Sequence, residues 1–178
     1  AMNIEITEKL NGRVVVASVS GGKDSAALSL WLTENGIEHQ RVFADTGWEH
    51  NATYEYIKGP LEQKLGPIVW LKPPRGMEEL VSWKQMFPSR AKRFCTQELK
   101  VFPIKRYLDS LVESGADVVN AVGIRAAESE ARSKLQEWEW QDGFDCEVWR
   151  PLIRWSEQDV ISIHARHGLK PNPLYLQG

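Results

Sequence analysis

The chain has 178 residues, of which 42% are hydrophobic and 26% are charged. This is the composition of a soluble globular protein that is long enough to bury a substantial core. The net charge of −2 excludes a globally basic nucleic-acid binder, and the apolar runs are too short to span a bilayer. The two cysteines cannot form a disulfide framework, so a reducing, cytoplasmic location is expected.

Strand and helix patterns alternate along the chain. Short apolar runs predict strands at residues 13–19, 40–44, 68–71 and 117–123. Helical patterns are predicted at residues 24–35, 51–58, 77–86, 101–114 and 157–166. The Gly59-Pro60 pair is expected to end the second helix. A capping signal from Ser156 to Asp159 is expected to begin the last helix, and Gly168 to end it.

A small hairpin is predicted near residues 135–150, because Asp142-Gly143 suits a two-residue turn between alternating segments. The alternation of strands and helices predicts an α/β fold class: an open, mostly parallel twisted sheet with helices on both faces. Ligands of such folds bind beyond the carboxyl ends of the strands. We therefore expect one crevice rimmed by the segments that follow the strands, namely SVSGGKDS, ADTGWEH, KPPRG and GIRAAESEAR.

The first of these segments combines residue types that suit an anion. Gly21 and Gly22 permit positive φ and a close approach of backbone N–H groups to a ligand. Lys23 adds a positive charge where a helix begins, and Asp24 is in the expected N-cap position. Hydroxyl donors come from Ser18, Ser20 and Ser25. The alternative is an ordinary tight turn, and the GxxxxGK[ST] and GxGxxG spacings are absent.

Five segments resemble one superfamily and occur in its order. SGGKDS after the valine-rich strand resembles the PP-loop of the adenine nucleotide α-hydrolases, also called ATP pyrophosphatases. Phosphoadenosine phosphosulfate (PAPS) reductase-like proteins carry segments similar to FADTGWEHNATYEYI, CTQELKVFPIKRYL, VGIRAAESEAR and RPLIRWSEQDVISIHARHGLKPNPLY. The resemblance implies a Rossmann-like fold of the adenine nucleotide α-hydrolase type. It also implies that residues 1–178 form one nucleotide-binding domain.

The resemblance implies a role for each strand-end segment. The phosphates of an adenine nucleotide would be held by Ser18, Ser20, Gly21, Gly22, Lys23, Asp24 and Ser25. Asp45 and Thr46 would lie near the nucleotide, with Asp45 as a ligand of Mg²⁺ bound with ATP. The group distal to the cleaved bond would be faced by Gly123, Arg125, Glu128 and Arg132. Catalytic roles are implied for Lys23, Arg125, Glu128 and Cys95.

Structural interpretations stay open beside these roles. Residues 125–134 also suit a solvated surface of i, i+4 ion pairs. Asp45 also suits a cap for its own Asp-Thr-Gly turn. A loop arginine over a crevice is expected to contribute little to stability, so Arg125 is predicted to affect turnover more than folding.

Residues 84–106 form a basic segment with seven basic side chains and one acidic side chain. Interleaved aromatic residues suit a polyanion such as nucleic acid, and a solvated helix face is the alternative. Cys95 lies in this segment, where basic neighbours favour the thiolate. An iron–sulfur cluster needs about four thiolates, whereas the chain offers Cys95 and Cys146. A complete cluster is therefore not expected in this chain alone, and we expect the cysteine-bearing tail of many relatives to be missing or supplied elsewhere.

Three functions stay open. In the first, the protein cleaves ATP between the α and β phosphates and adenylylates an acceptor in sulfur-related metabolism or modification; Lys23 and Asp24 favour it. In the second, it reduces PAPS or adenosine phosphosulfate (APS) with a thiol donor protein; Cys95, Arg125 and Glu128 favour it. In the third, it is the nucleotide-binding subunit of a DNA-modification or regulatory complex. The oligomeric state and the acceptor are not predicted.

Overall fold

A computed structural model describes residues 3–47, 49–72 and 99–176 of the chain. The strands are β1 Val14–Ser18, β2 Gln40–Ala44, β3 Ile68–Leu71, β4 Val118–Ala121, β5 Trp138–Gln141 and β6 Cys146–Trp149. Within the described residues they form one six-stranded sheet in the order β3-β2-β1-β4-β6-β5. Every neighbouring pair is parallel except β5 and β6. The predicted open, mostly parallel sheet is confirmed.

Helices cover both faces of this sheet, as predicted. They are α1 Ile4–Leu10, α2 Lys23–Glu34, α3 Asn51–Tyr56, α4 Glu62–Leu65, α5 Leu99–Glu113 and α6 Glu157–His167. The α2, α3 and α6 helices pack in the cluster of Val15 and Ala17, whereas Leu108 of α5 packs with Val16 and Val42. Because successive strand residues face opposite sides, the valines of β1 supply both cores. The carboxyl end of β1 is therefore held in place from both sides.

The second predicted helix does not end at Gly59-Pro60. The α3 helix continues through a π-helical turn, Ile57–Leu61, into α4. A π turn changes the hydrogen-bond register, and Pro60 lies inside it. Ile57 and Leu61 are fully buried. Their burial holds the helix on the core, so tertiary packing outweighs the local breaker signal.

The hairpin near residues 135–150 is confirmed, but its predicted two-residue turn is wrong. The last pair of the antiparallel β5–β6 ladder is Gln141 with Cys146, so four residues connect the strands. They comprise a 3-10 turn, Asp142–Phe144, followed by Asp145 in the left-handed region. Trp138 pairs with Trp149, and their rings stack with centroids 4.9 Å apart. This packed cross-strand pair fixes the register, and the loop length follows from it.

Some predictions lie outside the described residues. These are the helix at 77–86, the KPPRG segment after its first residue, Cys95, and the basic segment before its overlap with α5. In the part of the chain that is described, no helix has the length and apolarity needed to cross a membrane.

Candidate functional site

The loop after β1 makes a sharp turn at Gly21. This residue has φ +85°, and a Cβ there would lie 3.1 Å from Thr53 Cγ2. A side chain is therefore disfavoured both by backbone strain and by the packing of α3. Gly22 has an ordinary φ of −84° and is the N-cap of α2, without a side-chain cap bond. The expectation of positive φ is thus confirmed for Gly21 only.

The serines of the loop bond to the loop itself. Ser25 Oγ accepts a hydrogen bond from Ser20 N at 3.0 Å and donates one to the Gly22 carbonyl at 3.3 Å. Ser20 Oγ accepts from Gly22 N at 3.3 Å and lies 3.2 Å from Ser25 Oγ. Ser18, the last residue of β1, is half-buried. These bonds fix the turn. The first amides of a helix such as α2 have no helical carbonyl one turn earlier to which they could donate. Such a helix start suits an anion.

Lys23, the first residue of α2, is held at two points by α6. Its Nζ lies 2.5 Å from Glu157 Oε1, and its carbonyl accepts a 2.8 Å hydrogen bond from His164 Nε2. The lysine lowers the pKa of the Glu157 carboxyl, through the hydrogen bond first and its charge second. The predicted Ser156–Asp159 capping box is confirmed. The capping signal predicted the start of α6, but no sequence signal indicated Glu157 or His164 as partners of Lys23.

Asp24 is not the N-cap, contrary to the prediction, because Gly22 fills that position. Its Oδ1 instead accepts a 3.1 Å hydrogen bond from Arg125 Nε. Arg125 is 6% exposed, so the interpretation of this arginine as part of a solvated surface is wrong. A Cβ at Gly123 would lie 2.7 Å from the carbonyl oxygen of Asp24. The segment after β4 therefore packs directly on the start of α2, and Gly123 permits that approach.

Glu128 organises the segment that follows Arg125. Its Oε1 accepts a hydrogen bond from the backbone N of Arg125 at 3.2 Å, within the capping box of a short 3-10 turn, Ala126–Glu128. Its Oε2 accepts from Arg132 Nη1 in an i, i+4 pair. The Arg132 side chain is 43% exposed. The surface ion-pair interpretation thus holds for Glu128 and Arg132.

Asp45 follows β2, the neighbour of β1 in the sheet. Its Oδ1 accepts hydrogen bonds from Gly47 N at 2.8 Å and from Tyr54 Oη at 2.7 Å, so its predicted turn-capping role is confirmed. Burial and the bond to Asp45 raise the pKa of Tyr54. Thr46 is buried beside it. Among the described residues both of these hydrogen bonds are made to one oxygen, so the second oxygen of the carboxylate is the one that could hold a hard cation. One carboxylate plus substrate phosphates and waters is the donor set that Mg²⁺ accepts.

The segment after α6 supports α3 next to the loop. The buried Asn172 donates to Thr53 Oγ1 at 3.0 Å, and Thr53 is the residue against which Gly21 packs. Tyr56 Oη donates to the Lys170 carbonyl at 2.6 Å, and burial raises the pKa of Tyr56 to about 12. The sequence patterns indicated no role for Thr53, Tyr56 or Asn172, although the motif containing Asn172 was part of the resemblance.

Two cations therefore flank the start of α2, each paired with a carboxylate: Lys23 with Glu157 and Arg125 with Asp24. Among the described residues, the Arg125 guanidinium donates hydrogen bonds through Nε alone. Cys146 is buried in β6, and burial raises the pKa of its thiol to about 11, which makes it a poor nucleophile. No cluster of three or more His, Cys, Asp or Glu side chains suited to a metal ion occurs in the described ranges.

Comparisons with known proteins agree with this architecture. Residues 14–178 match the phosphoadenosine phosphosulfate reductase domain family. An Escherichia phage 186 protein, "Uncharacterized 37.8 kDa protein in gpa 5'region", is 34% identical over 92% of this chain. A phosphoadenosine 5'-phosphosulfate reductase of Alkalilimnicola ehrlichii is 28% identical over 94% of it. The chain spans 63% of the length of the phage protein and 66% of that of the reductase.

A solved structure gives the same fold. The phosphoadenylyl-sulfate (PAPS) reductase from Candida auris, a phosphate complex, superimposes with a TM-score of 0.68. The match covers 100% of this chain and 93% of the reductase, at 16% sequence identity. The similarity confirms the Rossmann-like α/β architecture.

Proposed function

The chain belongs to the phosphoadenosine phosphosulfate reductase domain family, and within this family of enzymes we propose that it cleaves ATP between the α and β phosphates. The loop 18–25 binds the phosphates, and the adenylyl group passes to an acceptor. The observation that carries this proposal is the start of α2. There, a helix start that has no side-chain cap hydrogen bond among the described residues lies between two cations, Lys23 and Arg125, that are held by carboxylates.

The chemistry places new negative charge on the pyrophosphate. A nucleophilic oxygen of the acceptor attacks the α phosphorus, and the bond from that phosphorus to the α–β bridging oxygen breaks. The electron pair of this bond leaves with pyrophosphate. Lys23 and the terminal nitrogens of Arg125 stabilise the charge that develops there, because cations fixed in advance act on the transition state. A guanidinium matches two phosphate oxygens at once.

The second oxygen of Asp45, together with the ATP phosphates, would hold Mg²⁺, which would neutralise charge on the phosphate oxygens. Tyr54 and Gly47 keep this carboxylate oriented through its other oxygen. Within the same proposal, Ser18 and Thr46 line the site, and the Glu128 carboxylate holds the backbone N–H of Arg125. Gly123 allows Arg125 to reach Asp24.

Reduction of PAPS or APS is the second candidate, and the named reductases among the relatives favour it. In that reaction the Cys95 thiolate would attack the sulfur of the sulfonucleotide, and the nucleotide phosphate would leave. A thiolate of a donor protein would then attack the Cys95 sulfur, forming a disulfide and releasing sulfite. Binding of nucleic acid by residues 84–106 stays a prediction, and so does a role of the protein as a subunit of a DNA-modification complex.

One calorimetric experiment separates the two candidates. ATP, APS and PAPS are titrated side by side, each with and without Mg²⁺. The ATP proposal expects ATP to bind most tightly and its binding to require Mg²⁺. Tight binding of APS or PAPS without Mg²⁺, together with thiol-dependent sulfite production, would favour the reductase instead.

A further inference from the structure

Residues on one face of α6 contact Lys23. Glu157, Val160 and His164 follow each other at spacings of three and four residues, which places them on the same side of a helix. Val160 is fully buried, Glu157 contacts the Lys23 ammonium, and His164 donates to the Lys23 carbonyl. The backbone of Lys23 is thus fixed, and only its side chain is free to change partner.

The two cations at the site differ in how easily they can move. The side chain of Lys23 is 37% exposed and that of Glu157 is 64% exposed. Arg125 and Asp24 are 7% and 20% exposed. An exposed ion pair contributes little and exchanges at low cost, whereas breaking a buried pair is expensive. A phosphate that approaches the loop therefore meets one cation fixed in a buried ion pair and one cation whose exposed carboxylate partner it can displace.

From this difference, we propose that Glu157 is a positioning residue that holds Lys23 in the nucleotide-free protein and is displaced by the phosphates of the ligand. The inference rests on the proposed binding of nucleotide phosphates at the loop. A ligand that reaches Lys23 must either break the pair or place its own negative charge beside Glu157. Ligands without phosphates do neither. Glu157 thereby determines how much negative charge a ligand needs to engage Lys23.

The α2–α6 contact supplies a matched control. Glu34, in the last turn of α2, binds Arg166 of α6 through two hydrogen bonds of 2.9 and 3.1 Å. This pair joins the same two helices but belongs to the end of α2 opposite the loop. Glu157→Gln and Glu34→Gln therefore each remove one carboxylate from the same helix contact, and only the first releases Lys23.

The test measures binding of pyrophosphate and of adenosine by calorimetry, without Mg²⁺, at low and at high salt. Glu157→Gln should tighten pyrophosphate binding about two- to fivefold at low salt, the scale of an exposed ion pair. The gain should shrink at high salt because screening weakens the pair. Adenosine binding should not change, and Glu34→Gln should change neither ligand. Melting temperatures of all variants check that they are folded.

Lys23→Ala and the double variant Lys23→Ala/Glu157→Gln complete the cycle. With Lys23 absent, Glu157→Gln should affect pyrophosphate no more than Glu34→Gln does. If Lys23→Ala itself leaves pyrophosphate binding unchanged, the proposed phosphate site at the loop fails. If Lys23→Ala weakens pyrophosphate binding, the phosphate site stands. The positioning role of Glu157 is then overturned by any of three results: Glu157→Gln leaves pyrophosphate binding unchanged, it weakens that binding, or it has the same effect with and without Lys23.

Discussion

Two carboxylate–cation pairs flank the start of α2, and they differ in burial and in origin. Arg125 reaches Asp24 from the segment after β4 and is almost fully buried, whereas Glu157 reaches Lys23 from α6 and is mostly exposed. The buried pair joins two chain segments at the carboxyl edge of the sheet. The exposed pair lies where a ligand can replace one partner. We infer that the first maintains the shape of the site and the second responds to its occupant.

The largest effect expected is on folding, from Arg125→Ala. The variant leaves the partly buried Asp24 carboxylate without its cation, so the free energy of unfolding should fall by about 3 kcal/mol. Urea denaturation measures it. Arg132→Ala is the control, because that exposed pair should change stability by no more than about 0.5 kcal/mol. Equal stability of the two variants would remove the distinction between buried and exposed pairs. The sequence-based expectation that Arg125 matters little for stability is thereby replaced.

Gly123→Ala should be next in size. The added methyl group would lie 2.7 Å from the carbonyl oxygen of Asp24, so the segment that carries Arg125 must move away from α2. A loss of about 2 kcal/mol of unfolding free energy is expected from this overpacking. Gly143→Ala is the control, because a Cβ there meets nothing within 4 Å. A Gly123→Ala protein with parental stability would mean that the two segments need not touch.

Lys23→Ala should act on binding and hardly on folding. Loss of a charged hydrogen-bond donor should weaken pyrophosphate binding about tenfold. The melting temperature should change little, because the pair with Glu157 is exposed. Lys64→Ala, an exposed lysine of α4, controls for general charge effects. A large loss of stability in Lys23→Ala would place its pair with Glu157 in the same class as that of Arg125 with Asp24.

The smallest expected effect is a pH dependence of folding stability. It arises at His39, just before the amino end of β2. His39 Nδ1 donates to the Ile37 carbonyl at 2.9 Å, and Nε2 accepts from Ser29 Oγ at 2.7 Å and from Arg41 Nη1 at 3.2 Å. Burial, and secondarily Arg41, lower the pKa of His39. The folded state therefore binds this proton less readily than the unfolded chain, and stability is lost as pH falls below the unfolded histidine pKa of about 6.5.

Unfolding of the parent and of His39→Asn at pH 7.5 and 5.5 isolates this contribution from the other histidines. The parent should lose more stability than the variant between the two values. Pyrophosphate binding at pH 7.5 should be the same in both proteins, since His39 lies away from the loop. If the parent loses no more stability than the variant between the two pH values, burial does not hold His39 in its neutral form.

The sequence predicted the parts of this architecture that depend on local patterns. The valine-rich β1, the turn at Gly21 and the capping box at Ser156 are each encoded within a few residues, and all are present. The Gly59-Pro60 signal is equally local, but burial of Ile57 outweighs it. Local patterns therefore predict elements well unless a core contact opposes them.

The pairings at the site could not be predicted in this way. Arg125 and Asp24 are 101 positions apart, and Lys23 and Glu157 are 134 apart. Their contacts depend on the strand order, which brings the segment after β4 and the start of α6 to the same helix end. Sequence spacing suggested Asp24 as a cap, and it left Arg125 either over the crevice or on a surface of ion pairs. It could not pair the two residues, because only the folded sheet makes them neighbours. The α1 helix was missed since none of its residues is buried.

The most direct test of the central claim is a product analysis of ATP labelled in its α phosphate, incubated with the protein and Mg²⁺. Water can replace the missing acceptor, so the proposal predicts slow formation of AMP and pyrophosphate. It predicts that Lys23→Ala and Arg125→Lys both reduce this rate, the second because an ammonium cannot make the two-pronged contact. Formation of ADP and phosphate, or an equal rate of AMP formation in the parent and Lys23→Ala, would contradict cleavage between the α and β phosphates at this loop.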